Sequence, residues 1–284
     1  MYLTLEQMNA INQVQLEIFK EYLKVCERLN LKYYMAHGSL LGAIRYKGFF
    51  PFDDDIDVLM PRKDYETLLK EGQRYLPNDY FIQSCKSETE YPLAFAKIRN
   101  SKTAFIQPVL RNLDVNQGIY IDIFPLDYYP KNRLAQRVTN LKERVYSLRI
   151  NSRMNYDSKQ PLFKRLLKCF AKMLCPSWKK TVQKRAYIYA SNKETDLVVS
   201  VGGKTKEKGM PSKWFGKGTI LEFEGLAVNC PSMMEEYMMR IYGDYMKYNP
   251  AAKYMDKMDR VEVSANRFST TESYHSILNE NKYA

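Results

Sequence analysis

No stretch of about twenty uninterrupted apolar residues occurs in the 284-residue sequence, so it offers no candidate membrane-spanning helix. The N-terminal segment MYLTLEQMNAINQVQ lacks the basic-then-apolar layout of a secretory signal, which predicts a protein that stays in the cytoplasm. The five cysteines (Cys26, Cys85, Cys169, Cys175 and Cys230) are an odd, irregularly spaced set without a Cys-x-x-Cys pair. They argue for reduced thiols rather than a disulfide framework or a zinc site. Gly/Ser-rich and Pro-rich linkers are missing from both halves, and no internal repeat is visible. The chain, long enough to bury a large core, therefore reads as one compact body over residues 1–284 with a basic helical insertion at 131–195.

The most informative segment is HGSLLGAIRYKGFFPFDDDIDVLMPR, residues 37–62. Asp55 and Asp57 stand at i and i+2 in a segment whose Ile56, Val58, Leu59 and Met60 predict a buried strand, so both carboxylates project from one face. Like charges held that close repel, and burying either alone costs several kcal/mol or raises its pKa, unless a cation lies between them. The pair has the chemistry of a divalent metal site, and its oxygen-only ligands suit Mg²⁺ or Mn²⁺. Upstream, Gly38-Ser39 offers a phosphate what it needs: backbone that can be approached closely and a hydroxyl at a helix start. Asp53-Asp54, after Pro51-Phe52, reads equally as a solvated turn.

A further carboxylate, Asp122, lies within Ile121-Asp122-Ile123-Phe124 and needs a cation or hydrogen-bond donors if it is to ionise there. Backbone hydrogen bonding would satisfy it as well. Arg45, Lys47, Lys97 and Arg99 are cations suited to phosphate oxygens; Lys47 and Arg99 are read equally as solvated. Thr103 could serve only its β-propensity, and His37 is as suited to orienting the Gly-Ser turn as to acting as a base. Asp127 reads as a turn cap. Glu222 and Glu224 alternate with Leu221 and Phe223, which points both to one solvent face. A quaternary ammonium needs an aromatic cage; Tyr46, Phe49, Phe50, Phe52, Tyr128 and Tyr129 are material for one without defining it.

The net charge of +12 is local. Residues 131–190 hold sixteen lysines and arginines against Glu143 and Asp157, a net +14 that leaves −2 for the rest. Within them, Leu162, Phe163, Leu166, Leu167, Phe170, Met173 and Leu174 recur at helical spacing, opposite Lys164, Arg165, Lys168 and Lys172. Such a basic amphipathic helix can lie on an anionic membrane through residues 160–185, or pack its apolar stripe on its own domain. No recognised RNA- or DNA-binding motif accompanies the charge, so nucleic acid is not a predicted partner.

Periodicity predicts a first helix from Leu5 to Leu29, short strands at 32–36 and 56–60, a helix at 40–44, and another from Pro61 to about Tyr75. Further strands are expected near 79–84, 93–99, 103–107, 119–124 and 197–201, then a hairpin at 218–229 turning at Gly225, a helix over 232–242 and a polar tail after Pro250. The order gives an α/β (α+β) fold, a small mixed sheet flanked by helices.

The 37–62 segment resembles the signature of the LicD family, bacterial enzymes with a nucleotidyltransferase-type fold that move phosphocholine from CDP-choline to cell-surface glycans; the animal fukutin-related proteins are similar. AFAKIRNSKT (94–103), GIYIDIFPLD (118–127), GTILEFEGLAV and EEYMMRIYGDYMK (within 218–247) continue the resemblance over about two hundred residues, with an unlike stretch in the middle. The resemblance implies a nucleotidyltransferase-like sheet with Gly38-Ser39 after its first strand. It also makes Asp122 the third carboxylate of a catalytic and metal-binding triad with Asp55 and Asp57. Gly38, Ser39, Arg45, Lys97 and Arg99 would then face a CDP-activated donor, CDP-choline foremost, while Mg²⁺ or Mn²⁺ is the cofactor. The acceptor would be a sugar hydroxyl of a surface glycan or its lipid-linked precursor, placing the protein in the cytoplasm or on the inner face of the plasma membrane. Three other readings stay open: nucleotidyl transfer from an NTP with release of pyrophosphate, a sugar transferase with a D-x-D metal site, and a glycan- or membrane-binding protein without activity.

Overall fold

The computed structural model describes residues 1–51, 53–154, 162–203, 205–249, 260–263 and 265–280. Phe52 and the first ten residues of the tail after Asn249 therefore lie outside the described residues, as do the side chains of Leu162 and Lys164. In chain order the first elements are β1 (Tyr2–Leu3), α1 (Leu5–Leu29), β2 (Tyr34–Met35), α2 (His37–Tyr46), β3 (Asp57–Pro61), α3 (Arg62–Glu71), β4 (Tyr80–Gln83) and β5 (Ala96–Asn100). They are followed by β6 (Ala104–Ile106), β7 (Ile119–Tyr128), α4 (Arg133–Asn151), α5 (Leu162–Leu174), α6 (Trp178–Ala186), β8 (Leu197–Ser200) and β9 (Lys208–Pro211). The last described are β10 (Thr219–Phe223), β11 (Leu226–Cys230), α7 (Met234–Tyr242), β12 (Val261–Glu262), β13 (Arg267–Ser269) and a helix at Tyr274–Glu280.

The first helix keeps its predicted bounds because both ends are specified locally. Thr4 and Gln7 exchange hydrogen bonds at 3.2 and 3.0 Å as a capping box. At the other end Asn30 turns left-handed (φ 51°) and donates to the Cys26 and Glu27 carbonyls. Between them, Ile11, Ile18, Phe19, Tyr22 and Val25 are buried, and the helix packs on β5 and β7.

A seven-stranded mixed sheet carries the fold, with order β2-β3-β7-β5-β4, β8 added beside β7 and β9 beside β8. Its spine is β7, whose Ile119, Ile121 and Ile123 are fully buried. One edge of β7 runs parallel to β3; the other pairs antiparallel with β5 up to Ile123 and with β8 from Leu126. Pro125, which has no N–H to donate, sits where one neighbour ends and the next begins. Helices α4, α5 and α6 all fall between β7 and β8, and the whole is the mixed α/β architecture read from the sequence.

Several boundaries differ from the sequence reading for identifiable reasons. The helix starting after Pro61 gives way to a 3₁₀ turn at Gly72–Tyr75, and the strand expected from 93 begins at Ala96. The hairpin turn is Glu224-Gly225, with φ of 49° and 74°, the two positive values of a type I′ turn. The five cysteines are unbonded.

Candidate active site

The parallel register sets Asp57 directly opposite Asp122. Asp55 precedes β3 by two residues, and the amide of Asp122 donates to the Ile56 carbonyl at 2.8 Å, tying that approach to β7. One carboxylate oxygen from each of Asp55, Asp57 and Asp122 lies within 4.8 Å of the others. Asp57 and Asp122 are buried and Asp55 half-buried. Burial, then the charges of Asp57, Asp53, Asp54 and Asp122, push the Asp55 carboxyl well above the usual range. Burial also lifts Asp122, to about 6, against the pull of Lys97. Three converging carboxylates, two of them buried and two of them, Asp55 and Asp122, with raised pKa values, fit a hard divalent cation bound through oxygen, which would relieve their mutual repulsion.

Ser39 fixes the acid-bearing segment. Its Oγ accepts from the Asp57 amide at 2.8 Å and faces the Asp55 carbonyl at 3.4 Å, so one hydroxyl bridges the main chain at two of the three acids. Gly38 is needed there for a steric reason, since a Cβ would overlap the Asp53 carboxylate. Gly42 likewise lets α2 approach the Gly48 carbonyl.

The cations fall into different roles. Lys97, the register partner of Asp122 across β5 and β7, donates to Asp122 Oδ1 and lies 3.3 Å from the Tyr120 ring centroid. Burial lowers its pKa and Asp122 opposes that shift. Arg99 is not solvated: it is fully buried, donates to the Gln83 side chain and, at 2.6 Å, to the Gly118 carbonyl, and its Nη2 has no hydrogen-bond partner among the described residues. Arg45 donates to the carbonyls of Tyr248 (2.6 Å) and Tyr245 (3.3 Å). Lys47 is exposed beside Glu222, and Glu224 accepts from the Phe49 amide at 3.1 Å. Thr103 joins Asn100 to Ile119 through its hydroxyl, a turn-fixing role. Asp127 is no turn cap; it is buried and held by Arg62 through two bonds of 2.7 and 2.6 Å.

Sequence reasoning missed Glu207. This fully buried carboxylate lies 2.8 Å from Nε2 of His37, whose Nδ1 is 3.2 Å from Asp57 Oδ2. Burial disfavours the imidazolium, but Glu207 and then Asp57 outweigh it, so the His37 pKa is raised well above its ordinary value. His37 is thus held between two carboxylates, itself in a left-handed conformation (φ 46°) at the start of α2. The available signal was Gly202-Gly203: a Cβ at Gly202 (φ 92°) would press on the Phe95 ring, and one at Gly203 on the Glu207 carboxylate. The Phe95 and Phe124 ring centroids lie 4.1 Å apart with the planes tilted by 35°, and Phe124 meets His37 edge-on at 5.2 Å, giving the site an aromatic side.

Residues 30–170 match the family described as LicD/FKTN/FKRP, nucleotidyltransferase domain. The chain is 29% identical over 244 residues to the lipopolysaccharide cholinephosphotransferase LicD of Haemophilus influenzae, covering 84% of this chain and 90% of that protein. It is 27% identical over 117 residues to an uncharacterized protein of Rickettsia prowazekii, with 41% and 40% of the two chains covered. An uncharacterized protein of Rickettsia typhi shares 38% identity over 48 residues, 17% of this chain and 16% of its own.

Proposed function

The chain belongs to the LicD family through its domain at residues 30–170, and we propose on that footing that it is a transferase moving phosphocholine from CDP-choline to a sugar hydroxyl of a surface glycan or its lipid-linked precursor. The observation that carries this reading is the convergence of Asp55, Asp57 and Asp122 within 4.8 Å, beside Gly38-Ser39 at the start of α2. Its substrate side rests on the similarity to the Haemophilus influenzae cholinephosphotransferase. The same reading takes residues 1–284 as one LicD-type domain, with 131–195 as an insertion in it, working in the cytoplasm or peripherally on the inner membrane face.

In the reaction, the acceptor hydroxyl oxygen forms a bond to the phosphorus that bears choline, and the bond from that phosphorus to the bridging oxygen breaks. CMP leaves with the bridging oxygen. Asp55, Asp57 and Asp122 would hold Mg²⁺ or Mn²⁺, which supplies positive charge to the donor's phosphate oxygens. Asp122 would bind that metal with the other two or, free of it, take the acceptor's proton. Lys97 keeps that carboxylate oriented and offers positive charge beside it. The backbone at Gly38, the Ser39 hydroxyl, Arg45 and Arg99 complete the phosphate side; the support for Arg99 is its buried Nη2, which has no hydrogen-bond partner among the described residues. His37 and Glu207 hold Asp57 in place.

The test is a donor screen. Purified protein is incubated with CDP-choline, CDP-ethanolamine, CDP-glycerol or CDP-ribitol and a glycan acceptor, and CMP is quantified. CMP release that is fastest with CDP-choline supports the proposal. Release from another CDP donor replaces the transferred group, and pyrophosphate from CTP without CMP from any donor replaces the reaction.

A further inference from the structure

The sequence left two homes for the apolar stripe at 162–174: the body of the protein, or a membrane. In the structure Phe163, Leu166, Leu167, Phe170, Met173 and Leu174 all face outward, each between 46% and 70% exposed. Ala171 is the buried side chain among those described on α5, and α5 touches α4. On α4, Leu134, Val138 and Leu141 form a second stripe, 44–69% exposed, at i, i+4 and i+7. An exposed apolar surface of this extent marks an interaction site.

We propose that the exposed face of α5, continued by α4, docks on the surface of an anionic lipid bilayer. Phe and Leu occupy one side of α5, and Arg165, Lys168 and Lys172 occupy the other, the arrangement of a helix lying in the plane of an interface. Among the described residues no ion pair engages Arg165 or Lys172. The whole segment 131–190 carries +14, complementary to anionic headgroups. The same charge repels a second copy of this face, which disfavours a homodimer built on it. α4 also lines, through Asn140, Arg144 and Asn151, a cavity of about 470 Å³ shared with Gly203 and Lys208.

The inference does not need the proposed reaction, and its test uses no donor. The full chain is sedimented with vesicles of phosphatidylcholine alone or mixed with phosphatidylglycerol, beside Leu166→Glu/Phe170→Glu and Arg165→Glu/Lys172→Glu. Circular dichroism and the thermal midpoint confirm that each variant is folded; the changed side chains are exposed. The parent should bind the mixed vesicles, bind phosphatidylcholine far more weakly, and release in high salt. Each double variant should bind at least about tenfold more weakly, given roughly a kilocalorie per basic residue at such a surface. Failure of the parent to sediment with mixed vesicles, or parent-like binding by either folded variant, overturns the proposal. So does a lipid-free parent that is dimeric while Leu166→Glu/Phe170→Glu is monomeric, which would make the face a self-interface.

Discussion

Nε2 of His37 and the carboxylate of Glu207 lie 2.8 Å apart across 170 residues of sequence. The other ring nitrogen reaches Asp57 at 3.2 Å, so Glu207 orients an imidazole that in turn orients a carboxylate of the acidic cluster. Groups one step behind a metal ligand typically change metal affinity or activity about 10- to 100-fold when removed. Glu207→Gln, which keeps the side-chain volume, should therefore weaken Mg²⁺ or Mn²⁺ binding by that factor without unfolding the chain. Metal titration by calorimetry reads the effect. A variant binding metal like the parent would leave Glu207 a structural role only.

The Lys97–Asp122 pair is buried on both sides. Removing one partner of a buried ion pair costs about 3–5 kcal/mol, because the other charge is left uncompensated. Lys97→Met should lose about that much in metal-free urea denaturation, and Lys97→Met/Asp122→Leu should lose less than the two single changes added together. Additive losses would show that the two side chains do not depend on one another.

Ser39→Ala removes the acceptor of the buried Asp57 amide. The orphaned donor should cost about 1–3 kcal/mol of stability. If Ser39 acts by bracing the acidic segment, metal affinity falls with it; if it acts chiefly on the donor's phosphates, the KM for the donor rises and metal affinity stays. Parallel metal and donor titrations separate the two.

Much of this site was legible locally. The Asp55–Asp57 spacing, the apolar setting of Asp122 and the Gly38-Ser39 turn were all visible as residue types in a pattern, and the ends of α1 follow from Thr4, Gln7 and Asn30. What periodicity could not provide is pairing at long range. The parallel register that brings Asp57 to Asp122 depends on β7 lying between β3 and β5, and the His37–Glu207 contact depends on where the loop after β8 returns. Arg99 could be read as a phosphate-facing or a solvated cation because nothing local announces that Gln83 and the Gly118 carbonyl would receive it. Asp127 misled for the same reason, since its partner Arg62 lies 65 residues away.

The pKa shifts give a pH signature. Asp55 and Asp122 are raised, so the folded chain holds protons that the unfolded chain has already released. Their contribution to metal-free stability is therefore full below the ordinary carboxylate range and is lost as pH climbs through about 6 for Asp122 and through the raised folded value of Asp55. His37, also raised, contributes below its ordinary range and loses that contribution as pH passes its folded value. Metal must displace the carboxyl protons. The rise in thermal midpoint on adding Mg²⁺ or Mn²⁺ should be small in mild acid and grow as pH rises past neutrality. A shift independent of pH would contradict the assignment of these acids as ligands.

The most direct measurement of the central claim is CMP release from CDP-choline by the parent, Asp55→Asn and Asp57→Asn, each with metal, after chelation, and after metal is returned. The account predicts turnover in the parent that chelation abolishes and Mg²⁺ or Mn²⁺ restores, and loss well beyond tenfold, about 1.4 kcal/mol of barrier, in both folded variants. CMP release that survives chelation, or that either variant sustains within tenfold of the parent, would contradict it.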